Sequence, residues 1–438
     1  MVTATNHRSR FGVLVCAIGV LCLAIQFNSL RIADFVSRTN YLQSLTFLSH
    51  HQQESQPSNE DQQRDQHKPI QNLLLTVPFY VYEDLVWTNV TYHTNVSFTN
   101  LRGRDGGRYK HSEDYWFMLA ALRHPMRTRD PTLAKLFVVP ILMNLYSRRW
   151  ARIWAPHVDF TMCNQNVCDD DLLQQVYQTL SSSKWFRRND GRDHIVVSSH
   201  FGYDEAEYQG RTKVPKKIRK LLARCNMITF ESRRFNDVDR FFYPSYYVGF
   251  PCPHAKEKLY DFAMVATLKP KLKTFQDRQH VCDWIHHGLL NSTMAICGGG
   301  DQCPILAQSK FGFHVRGDTF GSSRLMDILL SGTVPIFTRR QQYTVLPAWI
   351  DWDQLSYFVN VSDKEPFLSS LQGILQDRDG YQRRYDAVLT HQPLFDWETL
   401  YPFDTYMYML QHDLYSTATT LGNHRRFSAL RLPQSEVS

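Results

Sequence analysis

The sequence predicts an α/β protein of two doubly wound lobes, and three observations carry that expectation. Strand-like and helix-like runs alternate from residue 72 to about 250, the pattern of a parallel sheet covered by helices on both faces. A chain of 438 residues exceeds what one ordinary core fills, so two domains are the default. A second βα series runs from Phe262 to Asp353 and contains the most telling stretch, Ser309 to Phe337.

That stretch reads as strand, polar loop, helix and strand. Phe311, Phe313 and Val315 make the first strand; Arg316, Gly317, Asp318 and Gly321 make the loop. Ser322 or Ser323 caps a helix whose apolar face is Leu325, Ile328 and Leu329. Gly332 stops it, and Thr333 to Phe337 is β-rich again. A buried strand feeding a helix N-terminus favours an anion, through free N–H groups and the helix dipole. Arg324 and Asp327 sit three apart on one helix face. The cation suits a diphosphate and the acid suits ribose hydroxyls. The plainer alternative is a surface ion pair worth a few tenths of a kcal/mol.

In the first lobe the strand candidates are 77–82, 136–141, 194–198, 226–230 and 245–249. The helix candidates are 112–123, 169–182 and 214–224. Pro251 and Pro253 flank Cys252 and break any regular element, which places the crossover between lobes there. A last helical pattern covers 403–415.

Composition bounds the function. With 43% hydrophobic and 13% aromatic residues, wholesale disorder is excluded. The net charge of +7 suits anionic ligands, and no basic run interleaved with aromatics occurs, so nucleic acid is set aside. Residues 11–27 are almost wholly apolar and follow His7, Arg8 and Arg10. They predict a signal anchor over 11–30, with a cytoplasmic tail at 1–10 and the bulk lumenal; a cleaved signal peptide is the alternative. Residues 31–71 are expected to form a flexible stem, since 51–69 hold no side chain that could seed a core, and 422–438 a mobile tail. A lumenal chain makes Asn89, Asn95, Asn291 and Asn360 glycosylation acceptors. It also pairs most cysteines outside the apolar segment, with Cys163–Cys168 and Cys297–Cys303 as local bridges. Zinc spacing is absent around them.

Four collinear stretches resemble the exostosin-like glycosyltransferases: 110–144, 185–202, 309–337 and 346–359. They match, in the family's order, its early helix with an Arg-Thr-x-Asp-Pro turn and Phe-Val-Pro strand, its Gly-x-Asp-His strand, its Lys-Phe strand with Arg-Gly-Asp and a Ser-rich turn, and its Leu-Pro...Ile-Asp-Trp segment. The resemblance implies the glycosyltransferase B fold: two Rossmann-like lobes facing a cleft, an N-terminal acceptor lobe at 72–252 and a C-terminal nucleotide-sugar lobe at 253–421. A C-terminal helix is expected to return to the first lobe. The chain departs from the family at Phe313-His314-Val315, where a Cys-Leu-Cys-Pro-like strand is usual, and at Thr333, where a cysteine is usual.

The implied protein is a single-pass type II Golgi enzyme that moves a sugar from a nucleotide diphosphate donor, a UDP-sugar, to a glycan or polysaccharide acceptor with inversion. Arg316, Gly317, Asp318, Ser322, Ser323, Arg324 and Asp327 would hold the donor. Inversion needs a base for the acceptor hydroxyl. His200 follows the strand at 194–198, at the end where α/β sheets place ligand contacts, and Asp204 and Glu205 lie beside it. A turn histidine bonded to backbone is the plain reading of His200. Asp351-Trp352-Asp353 matches the family's Ile-Asp-Trp segment rather than a metal clamp, so no cofactor and metal-independent transfer are expected. Oligomers with itself or another glycosyltransferase fit this class. A catalytically silent, lectin-like protein or partner subunit is the rival.

Overall fold

The computed structural model describes residues 75–83, 112–141, 168–198, 216–229, 241–246, 248–249, 252–269, 271–288, 294–317 and 319–415. Contacts divide the chain into two units, 1–69 and 70–438, and every described residue lies in the second. The anchor, the stem, the tail, Asn89, Asn95, Asn291 and Cys163 lie outside the described residues. No helix among the described residues is long and apolar enough to cross a membrane.

The first sheet is built in chain order from β1 (Phe79–Val81), α1 (Glu113–Arg123), β2 (Arg127–Thr128), β3 (Leu136–Val138), α2 (Cys168–Ser182), α3 (Lys184–Arg188), β4 (His194–Ser198), α4 (Lys216–Leu222), β5 (Asn226–Thr229) and β6 (Phe242–Pro244). Its strands are parallel in the order β2-β1-β3-β4-β5-β6. The second contains β7 (Tyr260–Val265), α5 (Gln276–Gly288), β8 (Ala295–Gly298), α6 (Gln302–Ala307), β9 (Ser309–His314), α7 (Arg324–Leu330), β10 (Val334–Phe337), α8 (Trp352–Leu355) and β11 (Tyr357–Phe358). It is also parallel, in the order β11-β10-β9-β7-β8. Helices α9 (Lys364–Gln376), α10 (Arg378–Phe395) and α11 (Tyr401–Tyr415) close the chain. The two parallel sheets bear out the α/β expectation.

The strands are short, continuous apolar runs because both faces are covered: Leu136, Phe137 and Val138 are all buried, as are Val334, Ile336 and Phe337. Gly312 lets α7 lie close on β9, since a Cβ there would meet Ile328 at 2.9 Å. Gly332 ends α7 at a φ of 63°. Lys258 then ties two chain turns together, donating to the carbonyls of Ala307 and Gly332 at 2.8 and 2.7 Å.

Helix α11 packs against elements of the first sheet. Phe403 packs 5.1 Å from Phe79 and 4.7 Å from Phe117. The Tyr406 hydroxyl donates to the carbonyl of Pro244 and accepts the amide of Tyr246. Gln411 accepts the amides of Thr76 and Val77.

Two expectations are corrected. The strand expected at 245–249 is paired instead at Phe242–Pro244. Beyond Pro244 the amides of Tyr246 and Val248 go to side chains, Tyr406 and Glu113, so the ladder stops. The Cys297–Cys303 bridge is replaced by Cys282–Cys297 and Cys252–Cys303, each with Cα atoms 5.5 Å apart. Cys297 on β8 meets helix α5, which packs on that strand, while Cys303 lies beyond the next turn and meets the crossover segment.

Candidate functional site

In a parallel α/β sheet the loops at the carboxyl ends of the strands hold ligands. In the second sheet those ends bring together Val265 to Lys269, His314 to Gly317, and Thr338 with Arg339. Three guanidinium groups gather near β9.

Arg324 is the first residue of α7 and is 8% exposed. Its Nε donates to the carbonyl of Val265 at 2.7 Å, which fixes the plane of the guanidinium. Its buried Nη1 has no hydrogen-bond partner among the described residues. Burial pulls its pKa down, and the Asp327 carboxylate opposes that shift. Asp327 is itself buried, one turn along. A buried charge held with one donor idle is expensive unless a ligand completes it.

Arg316 lays its guanidinium over Phe320, 4.4 Å from the ring centroid, and its buried Nε is also without a partner among the described residues. Arg278, from the first turn of α5, was not singled out by the sequence. It donates through Nε to the carbonyl of Arg316 and through Nη1 to that of Thr267, each at 3.0 Å. Gly317 lies close against this neighbour, since a Cβ there would run into Arg278 Nη2 unless that side-chain tip shifted. Close approach, rather than positive φ, therefore explains that glycine. Arg339 is neutralised by a bidentate pair with Asp277 at 2.8 Å, which also raises its pKa. Gln342 braces the site, accepting the amides of Thr338 and Arg339 and donating to the carbonyl of His314.

The helix mouth departs from the expectation. The Ser322 hydroxyl accepts the Arg324 amide, and the amides of Leu325, Met326 and Asp327 go to the carbonyls of Ser322 and Ser323. The Ser323 side chain makes no cap bond. The amides from 324 to 327 are therefore spent within the first turn, and the donors left are side chains. Asp318 lies outside the described residues.

His200, Asp204 and Glu205 lie outside them as well. The nearby His194 is structural. Its Nδ1 meets Asp193 at 2.7 Å and its Nε2 meets the Tyr82 hydroxyl at 2.7 Å, deep in the first core. The first lobe reaches α7 through the crossover. Glu113 Oε1 accepts the amide of Val248, and Gly249 lies so close to α7 that a Cβ would meet Met326 at 2.6 Å. Asn360 is exposed. Among the described residues no group of three or more His, Cys, Asp or Glu could hold a metal ion.

The structure thus presents an α/β protein with a buried, half-satisfied guanidinium at the strand ends of a parallel sheet. The exostosin GT47 domain is matched over residues 54–373, and the chain belongs to that glycosyltransferase family. Among curated proteins it is similar to a probable xyloglucan galactosyltransferase, GT17, of Arabidopsis thaliana, 24% identical over an alignment of 265 residues, with 55% of each chain covered. It is also similar to xyloglucan-specific galacturonosyltransferase 1 of the same plant, 30% identical over 96 residues, 22% of this chain and 13% of that one. The chain thus spans about half or less of the relatives it matches. Among solved structures, a glycosyltransferase from Rickettsia africae ESF-5 is 8% identical, with a TM-score of 0.38, 78% of this chain covered and 100% of that chain. Sucrose-phosphate synthase of Thermosynechococcus elongatus is 12% identical, with a TM-score of 0.29, 69% covered here and 71% there. Scores this low mark distant likeness only.

Proposed function

We propose that the chain is an inverting glycosyltransferase of the glycosyltransferase B type. It takes a UDP-sugar at the second lobe and a polysaccharide hydroxyl at the first. The observation that carries this reading is the idle Nη1 of Arg324, a buried donor aimed at nothing the described protein provides. In the reaction a base takes the proton of the acceptor hydroxyl as its oxygen attacks the anomeric carbon. The bond from that carbon to the diphosphate oxygen breaks, and UDP leaves. Arg324, with Arg316 and Arg278 close by, stabilises the charge that collects on the diphosphate. Asp327 takes the ribose hydroxyls, and His200, Asp204 and Glu205 are the candidates for the base. The relatives' names favour a galactose or galacturonic acid donor and a xyloglucan-like acceptor. The apolar run at 11–27 after basic residues supports a single-pass Golgi membrane protein with a lumenal catalytic part. Metal-independent transfer completes the proposal, with guanidinium groups taking the place of a cation.

The test uses the full-length protein and a panel of nucleotide sugars, with release of nucleotide diphosphate and transfer to polysaccharide as readouts. Turnover with a UDP-sugar, undiminished by a chelator, is expected. Arg324→Ala should abolish UDP binding and leave folding intact; unchanged affinity would remove the central residue. No release with any donor would return the chain to a silent, lectin-like role or to that of a partner subunit. Full loss in a chelator with rescue by manganese would overturn the metal-independent mechanism.

A further inference from the structure

We infer that the loop leaving β7, which presents Lys269, Lys271 and Lys273, binds an acidic polysaccharide, so that the acceptor is a chain bearing carboxylates. The inference rests on the glycosyltransferase reading above and deepens it by naming the acceptor class.

Residues 267–275 read Thr-Leu-Lys-Pro-Lys-Leu-Lys-Thr-Phe, with a cation at every second position from 269 to 273 and no acid. All three lysines are exposed, and none enters an ion pair among the described residues. Elsewhere in the second lobe cations are matched, Lys310 with Asp261 and Arg339 with Asp277, each at 2.8 Å. Asp277, the first acid after the loop, is taken up by that second pair. Like charges gathered without a counter-charge repel one another in the free protein, and a polyanion relieves that repulsion. Leu272 stands 44% exposed between Lys271 and Lys273, an apolar contact suited to the C–H face of a sugar ring.

The loop is pinned at both ends. The Leu272 amide donates to the Lys269 carbonyl and the Phe275 amide to the Leu272 carbonyl, each at 2.9 Å. Phe275 is buried, with the Arg278 guanidinium 4.4 Å and Lys269 Nζ 4.9 Å from its ring centroid. Arg278 also holds the Thr267 carbonyl, two residues beyond the Val265 carbonyl that Arg324 holds. These contacts set the lysines beside the arginine cluster but on the surface. Side-chain type then separates the roles. Buried guanidinium forks suit the clustered oxygens of a diphosphate. Ammonium groups on free stems suit carboxylates strung along a polymer; each contact is weak, and several on one chain act together.

The test measures binding of an oligogalacturonide, a neutral xyloglucan oligosaccharide and UDP to the full-length protein by calorimetry. The native protein should prefer the acidic chain, and added salt should shrink that preference. The triple variant Lys269→Gln, Lys271→Gln, Lys273→Gln should lose about tenfold in affinity for the oligogalacturonide, with UDP affinity within a few fold of native. A control, Lys184→Gln, Lys217→Gln, Lys220→Gln, removes the same charge from exposed positions of the first lobe and should change neither. Equal binding of the acidic and neutral chains by the native protein would overturn the proposal. So would native-like oligogalacturonide binding in the loop variant, or an equal loss in the control. A matching loss of UDP affinity in the loop variant would overturn it too, since the lysines would then serve the diphosphate. The acidic chain binds without a donor, so a native protein that holds it but not UDP would sink the Arg324 reading alone.

Discussion

His124 Nε2 lies 3.0 Å from Asp404 Oδ1, both side chains buried, across 280 residues of sequence. His124 Nδ1 accepts the amide of Met126, so the proton sits on Nε2 and the histidine donates to the carboxylate. Asp404 also accepts the amide of Leu75. One carboxylate on α11 therefore ties together the end of α1 and the entry to β1. The last helix is part of the first lobe's core although it follows the second lobe in sequence.

Asp404→Ala should destabilise the protein by about 2–3 kcal/mol, because it strands two buried donors. Asp404→Asn, which keeps an acceptor oxygen, should cost less. Urea unfolding measures both; equal, small losses would show that α11 is held by apolar packing alone.

Gly249 predicts a link between the lobes. A Cβ there meets the Met326 Cβ at 2.6 Å and the Met326 backbone carbon at 2.7 Å, and backbone cannot swing away as a flexible side-chain tip can. Gly249→Ala must shift α7, the helix that presents Arg324. A stability loss of about 1–3 kcal/mol is expected, together with a raised KM for the nucleotide sugar. A variant with native KM would uncouple the crossover from the donor site.

The two disulfides should differ in weight. Cys252–Cys303 closes a separation of 51 residues and Cys282–Cys297 one of 15. Loop-closure entropy then gives about 4 kcal/mol for the first and about 3 kcal/mol for the second. Replacing each pair by serine and measuring urea midpoints should preserve that order; a reversed order would contradict the entropic account.

Much of this architecture is legible in sequence where a local rule decides. The strand His194–Ser198 is a β-branched run behind a tight turn, in which Asp190 and Gly191 take positive φ of 52° and 75°. Arg324 is legible from its place after a Ser-rich turn and from the family pattern. Arg278 is not: it sits on an ordinary amphipathic helix, 38 residues before the Arg316 carbonyl it holds, and only the tertiary fold joins them. The disulfides escape for the same reason. Pairing by nearness in sequence chose Cys297 with Cys303, whereas strand β8 presents Cys297 to helix α5. The helix mouth departs from expectation because Ser322 and the Ser323 carbonyl take up the amides that an anion was expected to use.

His314 also predicts an acid limb. Its pKa falls from 6.5 in the unfolded chain to about 3 in the folded one. Between those values the unfolded chain binds a proton that the folded chain refuses, so acidification favours unfolding. The stability associated with the neutral ring is fully present above 6.5 and is lost progressively as pH falls toward 3. The slope contributed by one such group is about 1.4 kcal/mol per pH unit. Other buried histidines, His194 among them, have depressed pKa values too, so the native curve alone does not isolate this residue. The comparison with His314→Gln does. From pH 7 to pH 5 the native protein should lose about 2 kcal/mol more than the variant, read from urea unfolding at each pH. Parallel curves for the two proteins would mean that water reaches the ring and that His314 is not held neutral between its two guanidinium neighbours.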